Sequence, residues 1–351
     1  MAVKVSGSDG VNQSQVTGAT QLPVGTTAQR PPDPAAGMMR FNTDTGQVEG
    51  YNIFDNGWQQ ISNFFARISA TGGTVTDITQ DGQIFRVHTF TTDGTFEVTS
   101  GDGEVDVLVV AGGGGAGFDE GGGGGAGGLV FATLGLLPSA YSVTVGSGGA
   151  GSGEQVPGDN GEDSLFGSLI TAIGGGGGGS NSDISIGSGA QDGGSGGGHG
   201  GNNTGTSIFP IGQGVQPSQS GISGTNGFGN NGGDKDSGFA ERHSGGGGGA
   251  GSPGEDGTQG SPGNGGEGLD FSATFGSSFG DNGNFAGGGA GTGRGSAGGS
   301  AGLGGIGGGG DGSAVGNGLP GEPNTGGGGG GGTNIGGNGG SGIVIVRYRI
   351  G

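Results

Sequence analysis

Apolar residues in this chain gather into short stretches that alternate with polar positions and then stop at runs of glycine. In "IFRVHTFTTDGTFEVTSGDGEVDVLVVAGGGGAG", beginning at Ile84, a period of two predicts β-strands on both sides of Asp93-Gly94. That dipeptide is a hairpin signal. A two-residue loop would split the apolar residues between faces. A three-residue loop, Asp93 to Thr95, is therefore expected, with Phe90, Phe96 and Val98 on one face. "VDVLVVAG" (Val105 to Gly112) is apolar apart from Asp106, the pattern of a strand buried on both sides. Tyr141, Val143 and Val145 mark another alternating strand, "SLFGSLITAIGGGGGG" one more, and "GIVIVRYRI" the last.

The first part of the chain follows the same period on a smaller scale. In "GMMRFNTDTGQVEGYNIFDNGWQQI", Met39 and Phe41 alternate with polar neighbours and "NTDTG" supplies turn residues. A return strand is expected through Val48 and Tyr51, and then a turn at "DNG" into Trp58 and Ile61. These apolar groups are too few for an independent core in one copy, so oligomerisation is expected to supply the missing burial. Three regions result: a β segment over 1–63, a connector over 64–83 with one short β-prone run, and a glycine-rich domain over 84–351.

Composition changes the reading of the glycine runs. The chain has 351 residues, of which 108 are glycine, with 27% hydrophobic residues, no cysteine and one tryptophan. Unperiodic glycine-rich sequence is ordinarily disordered. Here, however, strands bracket the runs at both ends and interrupt them in between, which a linker does not require. Extended glycine in the polyproline II geometry has three residues per turn and no internal hydrogen bonds. Its N–H and C=O groups point outward and need partners. Without side chains, neighbouring helices approach closely enough to bond laterally, so many runs in register on a β scaffold make an ordered lattice. "GSPGEDGTQGSPGNGGEG" from Gly251 holds six collagen-like triplets. Either a short triple helix or a polar surface helix of the same lattice fits them, and the lattice is the reading with less to explain.

Charge and motifs exclude much. Ten Lys and Arg against thirty Asp and Glu give a formal net charge of -20. Such a surface repels nucleic acid and anionic lipid, and neither nucleic-acid binding nor membrane insertion is expected. "MAVKVSGSDG" has no apolar segment of a secretory leader, and no apolar run is long enough to span a bilayer. Matches to GxSxG at Ser195, Ser278 and Ser300 arise from glycine saturation and lack the strand–turn–helix context of a nucleophile elbow. His88, His199 and His243 are far apart in sequence, and Asp234 and Asp236 lack the repeated acids of a calcium loop. No enzyme, cofactor or metal is expected.

Two stretches carry a family resemblance. Leu22 to Ile61, with "LPVGTTAQRP", "GMMRFNTDTG", "EGY" and "W" in that order, resembles a segment of bacteriophage tail-fibre and other virion proteins that lies near the particle-attached end. "HTFTTDGTFEV…VDVLVVAGGGGAG…GGGGGAGGLV…YSVTVGSGGAG…GGNGGSGIVIVRYR" resembles the glycine-rich domain of phage adhesins and, in layout, that of certain animal receptor kinases. The resemblance implies an all-β protein: a small N-terminal β attachment segment, then a jelly-roll-like β sandwich carrying packed polyglycine II helices. It implies a tail fibre on the particle surface, assembled in the host cytoplasm, homotrimeric, joined to other virion proteins and binding a host receptor or glycan. A decoration or collar protein and, more remotely, a glycan depolymerase are the rival expectations. Residues 180–244 and 268–286 depart from the family pattern.

Candidate residues follow from both readings. Met39, Phe41, Tyr51, Trp58 and Ile61 are candidates for attachment or oligomerisation. Phe209, Phe228, Phe239, Arg242, His243, Phe271, Phe275, Phe279 and Phe285 lie between glycine runs and are candidates for receptor binding, because loops on a rigid scaffold suit recognition. The same phenylalanines also fit as caps of the lattice or as packing on the sandwich, and "GLDFSATFG" fits a further strand.

Overall fold

The computed structural model describes residues 12–13, 20–53, 56–61, 68–101, 103–181, 189–201, 210–218, 223–236, 242–295 and 298–350. Nearly all regular structure is β, as the alternating patterns predict. Strand β1 (Asn12–Gln13) pairs with β2 (Thr20–Gln21). Next, β3 (Val24–Gly25), β4 (Met39–Asn42), β5 (Gln47–Asn52) and β6 (Gly57–Gln60) form a four-stranded sheet in that order. Strand β3 runs parallel to β4, and the other pairs are antiparallel. Gly46, at φ +70, closes the β4–β5 turn, a conformation that glycine adopts without strain.

The glycine-rich part begins with β7 (Ser69–Thr71), β8 (Thr74–Gln80), β9 (Gln83–Phe90), β10 (Gly94–Ser100) and β11 (Gly103–Val110). After two glycine runs come β12 (Leu129–Leu136), β13 (Ser139–Thr144), β14 (Ser164–Phe166) and β15 (Ile170–Ala172). Short elements then punctuate the remaining runs: β16 (Ser223–Phe228), β17 (Arg242–His243), β18 (Leu269–Asp270), helix α1 (Ser272–Phe275), β19 (Asn284–Phe285), β20 (Thr292–Gly295) and β21 (Gly298–Ala301). Strand β22 (Ile343–Arg349) closes the series. One sheet has the order β15-β14-β13-β10-β7 and the other β16-β12-β11-β22-β9-β8.

Three sequence expectations change. The expected connector over 64–83 contains β7 and β8, which supply an edge strand to each sheet. The expected hairpin at Asp93 does not form. Strand β9 pairs with β8 and β22, while β10 pairs with β13 and β7, so the Asp-Gly turn carries the chain from one sheet to the other. The Asp93 carboxylate accepts a hydrogen bond from Val145 N–H at 2.9 Å, holding that crossing. "SLFGSLITAI" is two strands, because Gly167, at φ +55, turns the chain back on itself.

The crossing keeps Phe90, Phe96 and Val98 in one core despite their different sheets. They join Val105, Val107, Val109, Val143, Phe166, Val344 and Val346 between the two layers. Alternate residues of the six-stranded sheet, Val87, Leu108, Val110, Leu129 and Ile345, face outward into a second cluster with Phe275 and Phe285. From Val107 to Val110, β11 is therefore apolar at every position, because both of its faces are covered there.

His88 sits inside the first core. Its Nδ1 lies 2.7 Å from the Gly72 carbonyl, its ring stacks on Tyr348 at 5.6 Å, and it meets Phe96 edge-on at 5.1 Å. Burial holds its pKa below the ordinary 6.5. The Gly72 carbonyl acts against that shift, Arg86 adds to it, and Asp77 opposes it. The unfolded chain thus takes up the proton more readily than the native one. The His88 contribution to stability is complete above the unfolded value and is lost as pH falls through it towards the lowered native value. The urea midpoint should drop between about pH 7.5 and pH 5.5, and drop less in His88→Gln. Equal drops in the two proteins would refute this.

The glycine runs between the strands form one hydrogen-bonded body. In run 111–117, Gly112, Gly113 and Gly114 donate N–H to Glu162, Gly340 and Gly125. One turn later Gly115, Ala116 and Gly117 return to the same three neighbours at Asp159, Gly337 and Gly122. Partners recur every three residues, the repeat of a polyproline II-type helix. The carbonyls of Gly112, Gly113 and Gly114 accept from Gly175, Gly149 and Gly329, on three further runs. This helix therefore has six bonded neighbours, as in hexagonal packing. Run 121–128 behaves alike, with Gly122, Gly125 and Gly128 donating to Gly179, Gly176 and Ile173. Backbone accounting is completed at the edges by side chains: Asn160 Oδ1 accepts from Gly177 N–H, Asp163 Oδ1 from Gly174 N–H and Asn338 Oδ1 from Gly151 N–H, at 2.8–2.9 Å.

The collagen-like tract belongs to this body. Gly254, Glu255 and Gly257 donate to Asn231, Asn264 and Asp234, and Gly263 and Gly266 donate to Ser244 and Gly247. It contributes two lattice helices joined by a turn at Thr258–Ser261.

Candidate functional site

One end of the lattice is anchored on the sheets, and among the described residues the other, free end is made of turns. Run 111–117 leaves β11, turns at 118–120 and returns as 121–128 into β12. Run 146–152 likewise leaves β13, turns at 153–156 and returns towards β14. Hydrogen bonds tie the free-end turns to one another. Phe118 N–H donates to Ser180 Oγ at 2.8 Å, Ser180 Oγ–H donates to the Val156 carbonyl at 2.5 Å, and Asn181 N–H donates to the Phe118 carbonyl at 3.1 Å. Gly336 N–H donates to the Ser152 carbonyl, and Gly318 N–H to the Ile335 carbonyl, which link the 333–335 turn to two neighbours.

Three aliphatic side chains stand in solvent on these linked turns. Val315 is 88% exposed, Val156 52% and Ile335 45%. A cleft of about 390 Å³ lies beside Val156, lined also by Ser152, Glu154, Pro157 and Asp159. Next to it is a polar cluster. Asp119 and Glu120 adopt positive φ values of 49° and 57°. Asn181 Nδ2 donates to Glu120 Oε2 at 2.5 Å and to Asp119 Oδ2 at 3.2 Å, and Arg242 Nη1 lies 3.5 Å from Glu120 Oε2. Positive charge here is thus engaged inside the protein. Among the described residues no group of three or more His, Asp or Glu is placed to hold a metal ion. No helix among them is long and apolar enough to cross a membrane.

The structure separates the residues picked out as receptor contacts. Phe209 and Phe239 lie outside the described residues. Arg242 is at the free end and ion-paired with Glu120. His243 is buried, with Nδ1 donating to the Thr258 carbonyl at 2.7 Å. The remaining phenylalanines sit at the anchored end. Phe275 and Phe285 are fully buried in the second cluster, and Phe228, Phe271 and Phe279 are packed against it. They face the sheet because the outward row of Leu108, Leu129 and Ile345 needs cover. "GLDFSATFG" is accordingly a two-residue strand and a single helical turn rather than a longer strand. Arg347 pins this cover in place: it pairs with Asp106 at 2.8 Å, lies 4.4 Å over the Phe85 ring and donates to the Thr274 carbonyl.

The attachment candidates divide between two faces of the N-terminal sheet. Tyr51 and Trp58 are directly opposite each other, with rings 5.9 Å apart, on the face that also carries Arg40 and Glu49. Met39 and Phe41 lie on the other face, and Ile61 follows β6.

Val156, Val315 and Ile335 were not singled out by sequence. Their signal is a lone aliphatic residue in a polar turn between glycine runs: "EQVPG", "SAVGN" and "TNIGG". A model of the glycine-rich domain matches residues 90–349, most of the chain. No curated protein matches it.

Proposed function

The chain belongs to the glycine-rich domain family, and from that premise we propose that it is a structural protein of a bacteriophage particle, a tail fibre that presents the free end of its lattice to a host surface. The observation that carries this reading is the contrast between the two ends. Phe275 and Phe285 at the anchored end are buried and Phe228, Phe271 and Phe279 pack against them, whereas Val156, Val315 and Ile335 at the free end are exposed on a body whose backbone is bonded in every direction. Exposed aliphatic groups on a rigid support favour binding, because little ordering entropy is lost on contact. The resemblance of Leu22 to Ile61 to a virion segment supports particle attachment through the N-terminal region, to other tail proteins.

Binding of the labelled full chain to a panel of candidate bacterial hosts tests the reading. Saturable binding to a susceptible strain is expected, weakened at least about tenfold when Val156, Val315 and Ile335 are all replaced by Asp. Unchanged binding by that triple variant would move the site elsewhere. Absence of saturable binding across the panel would favour a decoration or collar protein. Release of reducing ends from host polysaccharide would favour a depolymerase.

A further inference from the structure

A helix with three residues per turn presents three rows of residues. In the outer run 158–163, Gly158 and Gly161 donate N–H to Gly178 and Gly175, and Asp159 and Glu162 donate to Ala150 and Ser147. The third row, Asn160 and Asp163, is exposed. Its side chains bend back onto the neighbouring run. Asn160 Oδ1 accepts from Gly177 N–H at 2.9 Å, and Asp163 Oδ1 from Gly174 N–H at 2.8 Å. Run 263–268 repeats the arrangement. Gly263 and Gly266 donate to Ser244 and Gly247, and Gly265 and Gly268 to Leu303 and Ile306. Its third row is Asn264, which accepts from Leu303 N–H at 2.8 Å, and Glu267, which accepts from Ile306 N–H at 3.0 Å. In run 252–257 the third row is Pro253, which has no N–H to satisfy, and Asp256, whose Oδ1 accepts from Asp234 N–H at 2.7 Å. Pro320 holds the same place among Leu319, Gly321 and Glu322, which donate to Asp311, Asn338 and Gly308.

A third row of bare glycine would be a template. Its outward backbone groups could bond a further extended glycine segment, as an exposed edge strand bonds another strand. Every other copy of this chain carries such segments. We propose that the Asn, Asp, Glu and Pro residues of the third rows terminate the lattice, closing its flanks against the glycine helices of a second copy. Three effects act together. The side-chain oxygens satisfy N–H groups at the flank, and proline removes the donor altogether. Any side chain also prevents the close approach that lateral bonding needs: inside the lattice, a Cβ at Gly177 would lie 1.8 Å from the Gly158 carbonyl oxygen. Asp163, Asp256 and Glu267 add like charge, so identical flanks repel. The lattice is thereby finite, and its contacts with other molecules are left to the turns at its end. This inference does not rest on the virion reading.

Amide exchange and sedimentation velocity of the full chain test it, with two variants that each strip one helix. One is Asn160→Gly with Asp163→Gly, the other Asn264→Gly with Glu267→Gly. Asp163→Asn and Glu267→Gln are their controls, which lose the same charge and keep the acceptor. Amides of Gly174 and Gly177 in the first variant, and of Leu303 and Ile306 in the second, should exchange about five- to tenfold faster than in the controls. Slow exchange at Leu108 and Val109 shows that the fold is kept. Each stripped variant should also gain a faster-sedimenting species as concentration rises, while its control sediments like the wild-type chain. Unchanged exchange at the four amides, or stripped variants that sediment like their controls, would overturn the proposal.

Discussion

Gly124→Ala is expected to be among the most damaging single substitutions in the chain, removing about 4 kcal/mol or more of stability. An alanine methyl at this position would sit 2.1 Å from the Gly114 carbonyl oxygen and 2.7 Å from its carbon. Both atoms are backbone and cannot rotate away. Gly114 itself donates to Gly125, in the same run as Gly124, and is the acceptor for Gly329, so its displacement strains a bond back to that run and a bond to one further run. Gly124 also donates to Gly329 and accepts from Gly289. One methyl group therefore acts on several helices at once. The control is Gly260→Ala, where the methyl meets nothing within 4 Å. There the substitution should be neutral or stabilising by up to about 1 kcal/mol, through the lost freedom of the unfolded chain. Urea unfolding of the two variants checks both expectations, and similar midpoints would contradict the packing.

Phe275→Ala should destabilise the protein by about 3–5 kcal/mol, the range for emptying a large buried aromatic site. The ring is wholly buried, meets Phe131 edge-on at 6.1 Å and lies 5.7 Å beneath the Arg347 guanidinium. Its loss opens the cover over Leu108 and Ile345 and weakens the anchorage of the neighbouring lattice helices. Val315→Asp, at the exposed end, should change stability by no more than about 0.5 kcal/mol. Opposite ranking in chemical denaturation would mean that the 269–286 segment does not pack on the sheet.

The parts of this fold legible in sequence are those where side chains carry the information. Val105 to Gly112 reads as a doubly buried strand because every position but Asp106 is free of polar side chains, and β11 has a core on each face. Asp93-Gly94 reads as a turn and is one. Its strands nevertheless go to different sheets: β9 lies between β8 and β22, and β22 comes from the far end of the chain. Local signals name turns; partner choice is settled by packing at long range. The phenylalanines of 269–286 looked like surface anchors because glycine surrounds them, and their destination was set by an uncovered sheet face that no local pattern reveals.

The lattice was legible as a material and illegible as an arrangement. Glycine runs between strands imply lateral bonding, yet nothing about Gly114 distinguishes it as the partner of Gly125, Gly329 and the space beside Gly176. Without side chains, register is set by the strands and turns at the run ends. Alanine marks the few sites with room for a methyl group, as at Ala116, Ala126 and Ala290, each fully buried. The free-end residues Val156, Val315 and Ile335 escaped notice because single aliphatic residues in polar turns are ordinary in any sequence.

Native-state amide hydrogen exchange tests the central claim most directly: that the glycine runs are a folded, backbone-bonded body. The account predicts that amides of Gly114, Gly124 and Gly329, near the middle of the lattice, exchange as slowly as those of Leu108 and Val109 in the sheet, at the rate set by global unfolding. Exchange of those glycines at the rate of an unstructured chain, with the sheet still protected, would show that the runs are linkers and that the sandwich alone is folded.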